Sequence, residues 1–151
     1  MPVNKNILEQ YCSIKEEIKD LERMIAEREK QITLLQQEAN SDTVKWVSAD
    51  WGYGMIDIIG VAEKRVEIRL ELLNTMVDKL RSFKEHLEDT VLGIDIFLNG
   101  ICDSEVQRIC RLRFVYGYGW VKVARCMGCG YSEDCCRQKI KRFLDKLEKS
   151  A

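Results

Sequence analysis

Ile7, Tyr11, Ile14, Ile18, Leu21, Ile25, Arg28, Ile32 and Leu35 follow one another at alternating spacings of four and three. That is the heptad seam of a helix that packs against another helix, with one polar interruption at Arg28. No glycine or proline falls between Val3 and Asn40, so the spacing predicts one long helix over roughly residues 5–38. A second seam of the same kind runs through Val66, Leu70, Leu73, Val77, Leu80, Lys84, Leu87, Val91, Ile94 and Leu98, interrupted at Lys84. A helix of this length cannot cover such a seam alone. Two matching seams therefore imply an antiparallel hairpin, or pairing between chains as a homodimer through the heptad seams. Asn99-Gly100 ends the second helix with a residue able to take the left-handed cap conformation, and Gly93 is a candidate bend.

Between the seams the pattern changes. Asn40-Ser41-Asp42 closes the first helix, Thr43–Val47 has a β-like composition, and Trp51-Gly52-Tyr53-Gly54 is turn-like. The stretch 41–60 is thus read as an aromatic linker. Trp46, Trp51 and Tyr53 suit a plug over the open end of a helix pair better than a recognition patch, because aromatics at a bend bury their area locally.

After residue 100 the periods shorten. Asp103 or Ser104 can cap a helix whose buried face is Val106, Ile109, Cys110, Leu112, Phe114 and Tyr116, with Arg108, Arg111 and Arg113 around it. Gly117 and Gly119 flank Tyr118. A short helix Trp120–Met127 then offers Val121, Val123, Ala124 and Met127 to the same core, Ala124 being small enough for a close crossing. Gly128 breaks it. Ser132 can cap a last helix that buries Cys136, Ile140, Phe143, Leu144 and Leu147. Trp120 and Tyr118 stand at a turn-to-helix junction, a core position.

Charge divides the chain in the same place. Residues 1–103 carry 13 Lys+Arg and 20 Asp+Glu, net −7, whereas residues 104–151 carry 11 and 5, net +6. Only the C-terminal third has the electrostatics to approach a polyanion. On the last helix Glu133, Asp134, Arg137, Gln138 and Lys141 share the face opposite the apolar one, with Lys139 and Arg142 at its margins. Arginine can grip guanine bidentately, glutamine can grip adenine, and lysine neutralises phosphate. Helix, turn, short helix, turn, basic helix is the outline of a helix-turn-helix unit. Duplex DNA is the partner this implies, with Glu133, Asp134, Arg137, Gln138 and Lys141 nearest the bases and Lys122, Arg125, Lys139 and Arg142 on phosphates.

Other chemistries find less support. There is no Gly-rich phosphate loop and no Ser/His/Asp or Cys/His set with plausible roles, so no enzyme is expected. The lone histidine, His86, lies among charged residues in mid-helix and is read as exposed. Seven cysteines stand at 12, 102, 110, 126, 129, 135 and 136. Cys126-Met127-Gly128-Cys129 before Cys135-Cys136 invites a zinc reading, but a second separated Cys-x-x-Cys pair is missing and Cys136 falls on the core face. Reduced thiols serving as small apolar fillers are the expectation, with no metal and no cofactor. No apolar run reaches the ~18 residues that span a bilayer, and the N-terminus lacks the layout of a secretory signal. No membrane role is expected, and the reading is cytoplasmic.

Asp103-Ser104-Glu105, the block from Arg113-Phe114-Val115-Tyr116-Gly117-Tyr118-Gly119-Trp120 to Ala124, and Ser132-Glu133-Asp134-Cys135-Cys136-Arg137 resemble the phage-encoded transcriptional regulators of the ArpU/RinA type. The C-terminal part of that family is similar to the helix-turn-helix of sigma-factor region 4. Ser41–Lys45 and Ile56–Val61 also resemble the segment such proteins carry between their long helices; Trp46-Val47 in that segment and Cys135-Cys136 in the last helix depart from the family's pattern. The resemblance implies an all-α chain: a two-helix coiled-coil arm over 1–100, then a helix-turn-helix domain over 101–151. It implies control of phage or prophage genes, typically late ones, with RNA polymerase as a second partner. Two other readings share the pattern: a small terminase-like packaging subunit that assembles into a ring, and a module that grips polymerase without binding DNA itself.

Overall fold

The computed structural model describes residues 3–47 and 53–150, with side chains at 3–39 and 63–150. The chain is all-helical over these residues. In order come α1 (Lys5–Glu9), α2 (Tyr11–Val47), α3 (Tyr53–Asn99), α4 (Ser104–Cys110), a π-turn (Arg111–Val115), α5 (Trp120–Met127) and α6 (Glu133–Ser150).

The first predicted helix is jointed. Asn4 caps α1 by accepting from the Ile7 N–H at 3.0 Å. Gln10 then stands between α1 and α2 with φ −86° and ψ −5°. Its N–H still bonds back to Asn6 and Ile7, and its carbonyl still accepts from Ile14, so the hydrogen-bond ladder survives the joint. The far end runs longer than expected. Thr43–Val47 is helical despite its β-like composition, and helix resumes at Tyr53 inside the predicted linker. Strand propensity spans only ~1 kcal/mol, and a helix already propagating adds a hydrogen bond with each further residue. The side chains of Trp46, Trp51 and Tyr53, read above as a plug, lie outside the described residues.

The chain divides into two units, Met1–Ile18 together with His86–Ala151, and Lys19–Glu85. This is not a division at residue 100. Leu8, Tyr11, Ile94 and Leu98 are as deeply buried as Ile109, Cys110, Val123 and Cys136 of the C-terminal helices. The Cys12 thiol donates to the Phe114 carbonyl at 3.1 Å. The Tyr11 hydroxyl donates to Asp95 Oδ1 at 2.7 Å, and burial together with that carboxylate pushes the Tyr11 phenol upward from its ordinary pKa. The start of α2 and the end of α3 therefore belong to the same core as α4–α6. Full burial of each large apolar side chain there contributes about 1.5–3 kcal/mol.

In Lys19–Glu85 the two heptad seams meet within one chain. Leu21, Ile25 and Val77 are buried, Glu22 pairs with Lys84 at 3.3 Å, and Glu29 pairs with Arg81, so α2 and α3 run antiparallel. Lys84, the charged interruption of the second seam, is thereby matched across it.

The end of α3 departs from the expected left-handed cap, since the positive-φ residues described are Gly117, Gly128 and Gly130 and not Gly100. The terminal carbonyls are satisfied from α4 instead: Gln107 Nε2 donates to Leu98 at 3.0 Å and to Asn99 at 3.3 Å. A side-chain donor removes the need for a glycine cap.

Candidate nucleic-acid interface

The surface proposed from the sequence is built by α4, α5 and α6. Asp103 caps α4, its Oδ1 accepting from the N–H groups of Glu105 (3.0 Å) and Val106 (3.3 Å). The helix continues into the π-turn, marked by the Tyr116 N–H bonding five residues back to Arg111 at 3.0 Å. A wider turn rotates less per residue, so Phe114 stays on the buried side with Val106 and Cys110. Tyr116 is carried out to 62% exposure, against its expected place in the core. Its ring stacks on Tyr118, centroids 5.6 Å apart, and Lys122 sits over Tyr118 at 3.9 Å.

Helix α5 buries Val123 and Ala124. Val121 does not follow: it is 54% exposed, lying about 160° round the helix from the buried Val123. The turn to α6 needs two glycines. Gly128 has φ 103° and ψ −165°, and Gly130 has φ 90°, both costly for any residue with a Cβ. Ser132 accepts from the Cys135 N–H at 3.1 Å and so caps α6. Helix α6 then buries Cys136, Ile140 and Leu144, with Phe143 and Leu147 half-buried. The Phe143 ring lies 6.3 Å from Phe97.

With the apolar face of α6 turned inward, Arg137, Gln138, Lys141 and Arg142 are all exposed, as is Asp134, while Glu133 is half-buried. Arg137 Nη2 donates to Glu133 Oε1 at 2.6 Å, and its Nη1 lies 3.6 Å from Asp134. Its guanidinium also sits 6.0 Å from the Trp120 ring centroid, and Arg113 stands 4.8 Å from the same ring. Trp120 is half-buried, a platform for two guanidinium groups more than a core residue. The Arg137 carboxylate contacts are solvent-exposed and so worth little, which leaves the side chain free to exchange them for a ligand. Arg137 and Lys141 border a cleft of about 390 Å³ whose other rim includes Lys5 and Glu9 of α1.

No family model, no curated protein and no solved structure matches this chain.

Of the residues assigned to phosphates, Lys122, Arg125 and Arg142 are exposed. Lys139 is placed differently. Its ammonium is held by Glu105 Oε2, and Glu105 Oε1 accepts from the Tyr131 hydroxyl at 2.7 Å. The Lys139 and Tyr131 bonds hold the Glu105 carboxyl below its ordinary pKa, and Glu105 in turn raises both partners. Lys139 therefore ties α6 to α4. The α4 arginines also have structural tasks: Arg108 donates to the Cys126 carbonyl at 2.8 Å, and Arg111 to Asn99 Oδ1 at 2.6 Å. Glu105, Tyr131 and Trp120 also shape this surface; the one local signal for any of them is the Glu105 carboxylate in the first turn of α4.

All seven cysteines are free thiols: Cys110 and Cys136 are buried, Cys102 and Cys129 exposed, and the rest half-buried. Burial pushes the Cys110 thiol up to about 12. Among the described residues no group of three or more His, Cys, Asp or Glu side chains is placed to hold a metal ion. Among them, too, no helix is long and apolar enough to cross a membrane.

Proposed function

We propose that the protein binds duplex DNA sequence-specifically through α5, the Gly128–Ser132 turn and α6, acting as a helix-turn-helix with α6 in the major groove. One observation carries the reading. Arg137, Gln138 and Lys141 stay exposed along one edge of α6 while Cys136, Ile140 and Leu144 anchor the other. Arginine, glutamine and lysine are the side chains that address base edges and phosphates in that groove. Lys122, Arg125 and Arg142 supply phosphate contacts, and the net charge of +6 over residues 104–151 favours approach to a polyanion. Glu133 and Asp134 hold Arg137 in the free protein and are themselves candidates to accept from a cytosine amino group.

The biological setting rests on the resemblance to phage regulators of the ArpU/RinA type: transcriptional control of phage or prophage genes, with RNA polymerase as a second partner. Selecting bound sequences from a random duplex pool tests the reading. A recovered motif whose enrichment depends on Arg137 and Gln138 supports it. Recovery of unselected sequence, with the fold intact, contradicts it.

A further inference from the structure

Within Lys19–Glu85, α3 carries a second apolar stripe. Ile68, Leu72, Met76 and Phe83 are 50%, 66%, 43% and 46% exposed. At 3.6 residues per turn Leu72, Met76 and Phe83 lie about a quarter-turn from the seam residues Leu73, Val77 and Leu80 that face α2, whereas Ile68 lies about 150° away and belongs to the far face. On α2, Met24 (42% exposed) is displaced from its own seam in the same rotational sense. So are the exposed residues Asp20, Glu27, Gln31 and Glu38. In an antiparallel pair, residues displaced in the same sense from their seams emerge on the same side. The opposite displacement is occupied by Glu22, Glu29 and Arg81, whose pairs Glu22–Lys84 and Glu29–Arg81 close the other side of the hairpin.

One side of this hairpin therefore has two unlike lanes. The α2 lane is acidic, with Asp20, Glu27 and Glu38 around Met24. The α3 lane is apolar and basic, with Arg65, Arg69 and Lys79 along the stripe. The two ion pairs also set the levels: extending their register puts Met24 level with 82–86, Glu27 with 79–83, Gln31 with 75–79 and Glu38 with 68–72.

We propose that a second copy of the chain packs on this side, the two hairpins related by a two-fold axis running along the helices. That axis keeps every residue at its level and lays α2 of each copy on α3 of the other. Met24 then meets Phe83, Gln31 lies over Met76, Glu27 meets Lys79 and Glu38 meets Arg69. A two-fold axis perpendicular to the helices would instead set acid on acid and base on base, which is repulsive. Charge complementarity thus selects both the occupant and the arrangement, a parallel pair of hairpins forming a four-helix bundle. The surface differs from the heptad seams, which are filled within each chain, and the inference stands whether or not α6 reads DNA.

Size-exclusion chromatography with light scattering on the full chain, at tens of micromolar, tests it. The expected species is a dimer. Leu72→Glu is expected to raise its dissociation constant by at least about tenfold, because an apolar side chain is lost from the interface in both copies. Helicity by circular dichroism is expected to be unchanged, since Leu72 is exposed within one chain. Glu27→Lys and Lys79→Glu each weaken the dimer severalfold, and the double exchange restores it. This pair decides the matter should Leu72→Glu lose helicity. A monomer at these concentrations, an assembly of eight or more copies, a dimer indifferent to Leu72→Glu in a folded variant, or a double exchange that fails to restore association would each overturn the proposal.

Discussion

The Tyr131 hydroxyl donates to Glu105 Oε1 at 2.7 Å, and Lys139 holds the other oxygen of the same carboxylate. Three elements distant in sequence are joined at one side chain: the first turn of α4, the turn before α6, and α6 itself. The orientation of α6 depends on a contact whose partners are 34 residues apart.

A pH dependence follows from that carboxylate. Its folded pKa is lowered, chiefly by Lys139 and then by Tyr131. The stabilisation is therefore present above the unfolded glutamate range and is lost as pH falls through the lowered folded value. Urea midpoints of the wild type and of Glu105→Gln, measured from neutral pH downward, are expected to differ most at neutrality and to converge in acid. A gap that is constant with pH contradicts the assignment.

The α5–α6 turn makes a second prediction. An alanine at Gly128 meets no atom within 4 Å, so only the backbone conformation at φ 103° opposes it. Gly128→Ala should lower stability by about 1–3 kcal/mol, slightly offset by the reduced freedom of the unfolded chain. Chemical denaturation measures this; an unchanged midpoint would show that the turn tolerates another conformation.

Thiol labelling gives a third. In the native protein Cys102 and Cys129 should react first, because they are exposed. Cys110, buried and with a pKa pushed up to about 12, should react only on unfolding. Mass spectrometry of peptides after graded labelling reads the order.

On the DNA side, Arg137→Ala should cost roughly 1–3 kcal/mol of specific binding and relax the preference at one base pair. Lys122→Ala should weaken all sequences alike. Binding by Lys139→Ala should suffer through loss of the α4–α6 tie, so its thermal stability should fall as well. Competition assays beside melting curves separate the three.

How much of this was legible in the sequence follows from the range of the forces involved. The seams are plain because burial repeats with the helical period; the Ser132 cap and a start of α4 at Asp103 or Ser104 are plain because capping is local. The π-turn at Arg111–Val115 leaves no compositional trace, so a regular helical period puts Tyr116 inside, whereas the wider turn carries it out. Thr43–Val47 is strand-like in composition, and residue propensity takes no account of the helix that precedes it. Lys139 looked like a phosphate ligand because nothing local points to Glu105. The exposed edge formed by Arg137, Gln138 and Lys141 needed only the phase of α6, which its apolar residues define.

The central claim is that this edge enters a DNA groove with phosphates neutralised beside it. Duplex affinity measured against salt concentration tests it most directly. Three phosphate contacts per chain, from Lys122, Arg125 and Arg142, predict a log–log slope of about −2.7 for each bound chain, at roughly −0.9 per phosphate. No binding at low salt, or an affinity that does not change with salt, would contradict it.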